Sequence, residues 1–360
     1  MKFRSFSLEI KSLVVTILML TACGENTSNR GFYYWKSGTM QSTEEIEMLK
    51  KSHTDKLYLK FFEVVHDTEF KQIPIDKTTF SLLSIPEKLI KVDKKFARNF
   101  KGIEIIPTIF IEESCLRSND STQMIALAKR MCGLITKTFK TNIGSSHLLN
   151  EVQIDCDWTP STRTNYFILL KEIKAMLKVK LSCTLRLYPF KYPDLVGVPP
   201  VDRCMLMCYN LIGPKGNPEK NSILDVNELK LYVKNSKTYP LPLDVALPIF
   251  SWLHHYQQNQ FLGLIQTNDK GFLKNLKQDG KSLWYTVTQD HVIGNRYVRR
   301  GDRIKWEKLT PKIIENAILL LKENVHLDSE STLTFFDLNP TTSSNFSYEN
   351  IASFHVLFTK

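Results

Sequence analysis

The chain carries eight short runs rich in β-branched and aromatic residues, seven of them followed by a segment with apolar residues at helical spacing. Period-two and period-3.6 patterns taking turns along one chain restrict it to parallel strands with helical crossovers. The strand-like runs cover residues 32–35, 56–65, 103–111, 151–158, 181–187, 203–210, 243–252 and 332–339. Helical spacing covers 43–51, 86–100, 121–139, 162–177, 223–233, 310–324 and 348–358. Eight strand-like runs so interleaved predict an α/β fold, a (β/α)8 TIM-like barrel. The rival, a doubly wound open sheet, would carry a glycine-rich phosphate loop after its first strand, and none follows Trp35. Residues 253–308 break the pattern between the seventh strand and its helix, with strand-like pieces at 261–266, 283–288 and 297–306. A βα loop projects from the C-terminal face of a barrel, so this stretch is read as a small β-rich insertion roofing the mouth.

The N-terminus addresses location. Lys2 and Arg4 precede an apolar run, Leu13 to Leu20, that is too short to span a bilayer, so residues 1–22 read as a signal peptide. The ending Leu20-Thr21-Ala22-Cys23 resembles the lipobox of bacterial lipoproteins, whose cysteine is lipidated and becomes the first residue. That resemblance implies a lipid anchor at Cys23, a tether over 23–30, a barrel domain over 31–360 and a place in the bacterial cell envelope. The missing aspartate after Cys23 favours the outer membrane. The formal charge of +11 falls to about +9 without residues 1–22, which hold Lys2, Arg4 and Lys11 against Glu9. In an exported chain this excess is read as a solvated surface or an attraction for anionic glycans, not as a nucleic-acid footprint. Six cysteines follow Cys23 without a CxxC or Cys/His cluster, and the eight histidines form no HxH or HExxH pattern, so no metal and no cofactor is expected.

The fourth strand, Glu151-Val-Gln-Ile-Asp-Cys-Asp-Trp158, carries the chemistry. Alternation places Val152, Ile154, Cys156 and Trp158 on one face and Gln153, Asp155 and Asp157 on the other. Buried carboxylates line a polar cavity or meet buried cations, because unpaired buried charge is costly. Two carboxylates this close push their pKa values apart, one holding a proton while the other stays ionised, which suits acid–base cleavage of glycosidic bonds. Asp155 and Asp157 are therefore the catalytic candidates, with Asp157 as general acid and Asp155 as base or orienting partner. Candidates for substrate binding stand at or near other strand ends: Trp35, Lys60, Glu63, Arg186, Tyr209, Asn210, Trp252 and Asp337. The structural alternative is that Lys60 and Arg186 neutralise Asp155 and that the tryptophans are packing.

The blocks QIDCDWTPSTRTNYFILLKEIK, LSCTLRL and RCMLMCYN, with YPLPLDVALPIFSW and RRGDRIKWE further on, resemble an uncharacterised bacterial lipoprotein family with a glycoside-hydrolase-like barrel. The resemblance implies a carbohydrate-active mouth. A wider similarity is to chitinase-like hydrolases, whose fourth strand carries Asp-x-x-Asp-x-Asp-x-Glu. Asp155 and Asp157 match the last two aspartates, while the first falls on Val152 and the proton-donating glutamate on Thr159. The mechanism of that group is therefore not carried over. Two functions remain open: an envelope glycoside hydrolase, or a lipoprotein that binds a glycan or an envelope partner at the same mouth without cleaving it.

Overall fold

The computed structural model describes residues 29–38, 42–69, 71–82, 99–117, 120–144, 147–213, 218–236, 238–267, 269–280, 282–339 and 345–359. The signal peptide expected over 1–22, the anchor expected at Cys23 and nearly all of the helix expected over 86–100 fall on residues outside those described. Among the described residues, no helix is long and apolar enough to cross a membrane.

Eight parallel strands close on themselves: β1 (Asn29–Tyr34), β2 (Lys56–Asp67), β4 (Glu104–Ile111), β5 (Glu151–Asp155), β6 (Lys180–Arg186), β7 (Arg203–Met207), β8 (Leu243–Pro248) and β16 (Thr332–Phe336). β16 pairs back onto β1, with Asn29 opposite Thr332, so the (β/α)8 barrel is complete. β3 (Lys71–Ile75) adds an antiparallel strand outside the ring, on the far end of β2. The crossover after β6 is made of two short helices, Leu187–Lys191 and Pro193–Val196, where the sequence pattern offered none.

Local sequence explains the helices. Thr43–Lys51 opens on a capping box, Ser42 receiving the Glu45 amide while the Glu45 carboxylate reaches back to the Ser42 amide. Arg163–Leu177 ends at Lys178 in the left-handed region, with φ of 54°. Pro311–Asn324 starts on proline, whose missing N–H is unused in a first turn. The outward strand faces, including Val152, Ile154, Cys156, Leu181, Cys183, Val245 and Phe335, are buried under these helices. All six described cysteines are free and buried, with the Cys183 and Cys204 sulfurs 3.8 Å apart on neighbouring strands.

The inner face is polar. Tyr33 of β1 donates to Gln153 Oε1 of β5 at 2.6 Å, which spans the lumen and fixes Gln153 and its alternating neighbours as inward-facing. Thr108, Ser182, Thr184, Asp244, Thr332 and Thr334 are buried with it. At the N-terminal end Glu151 accepts from Ser182 at 2.6 Å, with Lys56 3.9 Å away. Asp244 accepts from the Thr332 amide at 2.7 Å and from Arg203 at 3.4 Å. A depression of about 110 Å³ opens there, lined by Lys56, Glu151, Ser182 and Arg203 among others. Chemistry in such barrels sits at the opposite, C-terminal face, so this end is read as a structural charge network.

Burial pushes the Asp244 carboxyl up to about 7, against the pull of Arg203 and Lys56. A carboxyl raised on folding stabilises the native state while it is protonated, and that contribution is lost as pH rises through the folded value. Relative to Asp244→Asn, the wild-type chain is therefore expected to lose on the order of a few kcal/mol between pH 5 and 8. Paired denaturant unfolding curves at those two pH values check this.

Candidate active site

The C-terminal strand ends bring most of the predicted residues to one mouth. Asp155 is the last residue of β5, and Asp157 lies two positions beyond it. Their environments differ. Asp155 Oδ1 accepts from the Thr184 hydroxyl of β6 at 2.7 Å. Burial pushes its carboxyl up to about 6, helped by the Asp157 charge and opposed by Thr184 and Arg186. Asp157 is exposed and held by both forks of Arg186, at 2.6 and 3.0 Å. Arg186 ends β6, so its guanidinium is carried to the mouth by the same strand as Thr184. Neither Arg186 nor Lys60 makes its ion pair with Asp155, contrary to the alternative drawn from the sequence.

Lys60 is buried between Glu63 at 2.9 Å and Asp76 at 2.5 Å, beside a register shift in β2. Burial works to lower its pKa, but the two carboxylates more than offset this. Glu63 and Lys60 thus form a closed network, with the ammonium 5.8 Å from the Trp35 ring. Trp35 follows β1 and leans on Tyr33 at 6.0 Å and on Phe336 at 5.8 Å. Tyr209 is buried two residues past β7, stacked on Phe336 at 5.1 Å. Burial raises its hydroxyl pKa, Arg186 opposes this, and Asp155, Asp337 and Asp157 add to it. Asp337 follows directly on β16. Asn210 is exposed and turns the chain in the left-handed region, its amide donating to the Ile223 carbonyl at 2.8 Å.

Trp252 requires a correction. The apolar run 243–252 is not one strand: β8 stops at Pro248, and Trp252 opens β9 (Trp252–Gln257), the first strand of the insertion. The insertion forms a five-stranded sheet in the order β10 (Gln260–Ile265), β9, β15 (Arg303–Glu307), β12 (Trp284–Val287), β11 (Leu276–Gln278). A hairpin, β13 (His291–Ile293) and β14 (Arg296–Val298), adds to it. The piece 297–306 is consequently split between two sheets. The insertion has its own small core, including Leu253, Ile265, Val287 and Ile304.

Glu307, unforeseen from the sequence, ties this sheet to the barrel. It is wholly buried and accepts from the Ser222 amide and hydroxyl at 3.0 and 2.5 Å and from Trp252 Nε1 at 2.8 Å. Lys305 lies 2.7 Å from it and His254 3.2 Å. Lys305 also donates to the Lys220 carbonyl at 2.7 Å, so the loop after β7 is clamped against the insertion. Burial alone would raise the Glu307 pKa, but these donors hold it well below the usual carboxylate range.

Phe336, Phe250 and Tyr33 were also missed, although alternation along 332–339 places Phe336 on the same face as Thr332 and Thr334. Together the rings form a continuous wall. Trp35 touches Phe336, Phe336 touches Tyr209 and Phe250, and Phe250 touches Trp252 at 5.1 Å. Thr159, where a chitinase-like acid would project, instead uses its hydroxyl on Glu113, Ser161 and Thr162 at 3.3, 2.8 and 3.1 Å. Among the described residues, no three His, Cys, Asp or Glu side chains are grouped to hold a metal ion.

No family model matches the chain. No curated protein matches its sequence either. Solved structures do match. The spore cortex-lytic enzyme SleL of Bacillus cereus is 14% identical, with 92% of this chain and 74% of that one covered at a TM-score of 0.51. A Group IV chitinase of Ostrinia furnacalis is 8% identical, covering 92% and 100% at 0.53. A Rhizomucor miehei chitinase is 10% identical, covering 91% and 99% at 0.50. The chain shares the barrel fold of these proteins.

Removing Glu307 leaves Lys305 buried without its carboxylate, a change that typically costs about 3–5 kcal/mol. Glu307→Ala is therefore expected to speed hydrogen exchange in β9 and β15 far more than in β5 or β6, measured by mass spectrometry of the same sample.

Proposed function

We propose that the chain is a cell-envelope lipoprotein, anchored through Cys23, whose barrel mouth is a glycoside-hydrolase-like, carbohydrate-active site. The observation that carries this reading is the unequal environment of two neighbouring carboxylates beside an aromatic wall. Asp155 is half-buried, hydroxyl-bonded and raised to about 6, while Asp157 is exposed and faces a guanidinium. That division reverses the roles expected from the sequence. Asp155 is the group able to hold a proton and deliver it to a leaving oxygen. Asp157, fixed by Arg186, supplies negative charge against an oxocarbenium-like transition state. The wall from Trp35 through Phe336 to Trp252 offers apolar ring faces to sugars, and the shared fold with a cortex-lytic enzyme and chitinases agrees with a glycan ligand.

A second reading, binding without turnover, is favoured by one specific observation. The position of the chitinase-like acid is a threonine whose hydroxyl serves the start of the helix Arg163–Leu177. A panel of envelope and amino-sugar glycans separates the two: release of reducing ends supports hydrolysis, and retention without release supports binding.

If hydrolysis is seen, Asp155→Asn is expected to lower the rate by roughly 100-fold or more, the usual scale for a general acid, with little change in melting temperature. The wild-type rate is expected to fall roughly tenfold per pH unit above about 6, as Asp155 loses its proton. A pH–rate profile on the best glycan of the panel checks both.

A further inference from the structure

We propose that Thr184 is a positioning residue for Asp155, fixing which of its two carboxyl oxygens carries the proton that the mouth presents to a ligand. The inference rests on reading Asp155 as the proton-holding group. Ile154 and Cys183 are register partners, which sets Asp155 and Thr184 side by side on the lumen faces of β5 and β6. Thr184 Oγ1 lies 2.7 Å from Asp155 Oδ1 and 3.4 Å from the backbone nitrogen of Cys156. A backbone N–H only donates, so the hydroxyl is its acceptor, and a hydroxyl has a single proton to give. That proton goes to Oδ1. The oxygen already receiving a donor is the poorer base, so protonation falls on Oδ2.

Thr184 therefore acts twice. Its bond favours the ionised carboxylate and restrains the upward push of burial. Its direction leaves Oδ2 as the donor atom. No neighbour on β6 duplicates this. The Ser182 hydroxyl is on Glu151 at 2.6 Å, and the Arg186 fork is on Asp157. Among the described residues, the titratable groups on the lumen side with Asp155 are Asp157 on its own chain segment, Arg186 on β6, Tyr33 on β1 and Tyr209 after β7. Cys156 and Tyr166 of the helix Arg163–Leu177 lie on the opposite, helix-covered side of β5, and burial raises both. Burial raises both lumen phenols, Tyr33 and Tyr209, so they keep their protons where Asp155 changes state.

The test is the titration of Asp155 in the whole mature chain, followed by carboxyl carbon NMR on aspartate-labelled protein and assigned with Asp155→Asn. Thr184→Val keeps the branch and volume but not the hydroxyl, and is expected to raise the Asp155 midpoint by about one unit. Thr184→Ser restores a hydroxyl and is expected to return the midpoint to within roughly a third of a unit of wild type. Thr184→Ala gives the same readout if the valine variant does not fold. A midpoint that stays in place or falls when the hydroxyl is removed overturns the proposal. The titration needs no substrate, so a shifted midpoint without turnover on any glycan leaves Thr184 in its role and overturns only the hydrolase reading.

Discussion

Three carboxylates of one chain segment meet three side chains of the next strand. Glu151 is met by Ser182, Asp155 by Thr184 and Asp157 by Arg186. The spacing is a consequence of pleating: residues two apart on parallel strands share a face, so acids on β5 find alternate residues of β6. Charge buried without a partner would cost several kcal/mol, and this ladder is what lets the barrel hold acids inside it. The partner's chemistry grades along the ladder. Burial pushes Asp155 up to about 6 and a hydroxyl opposes this only in part, whereas a guanidinium binds Asp157 as an ion pair.

The rest of the mouth is arranged around that ladder. Tyr33 bonds to Gln153 across the lumen and also supports Trp35, which links the floor under Asp155 to the aromatic wall. Phe336 is the centre of that wall because, among the described residues, it is the ring that touches Trp35, Tyr33, Tyr209 and Phe250 together. Each ring contact contributes about 0.5–1.5 kcal/mol beyond area burial, and together they fix the wall's shape before any ligand arrives. The insertion extends the wall through Trp252, whose indole is oriented by Glu307 from below.

The barrel and the acidic strand were legible in the sequence because both follow from periodicity. Eight period-two runs gave eight barrel strands, and alternation in QIDCDW separated the packing face, Val152 to Trp158, from the polar one. Partner identity was not legible. Lys60 meets Asp76, sixteen residues on, and Glu307 meets Ser222, eighty-five residues back; pattern along the chain does not report such pairs. Trp252 was placed on the wrong strand because Ile249 and Phe250 continue the apolar run through a corner. The division of labour between the aspartates also lies beyond spacing. It depends on the deeper burial of Asp155 and on whether β6 offers a threonine or an arginine, and neither can be read along the chain.

The central claim is that a sugar sits on the wall with its scissile oxygen against Asp155. A crystal structure of residues 23–360 soaked at pH 5 with an amino-sugar tetrasaccharide tests it most directly. The expected result is rings lying across Trp35, Phe336 and Trp252, a glycosidic oxygen about 3 Å from Asp155 Oδ2, and the Asp157–Arg186 pair intact. A tetrasaccharide bound only on the outer face of the insertion, with no sugar atom reaching Asp155, would contradict it.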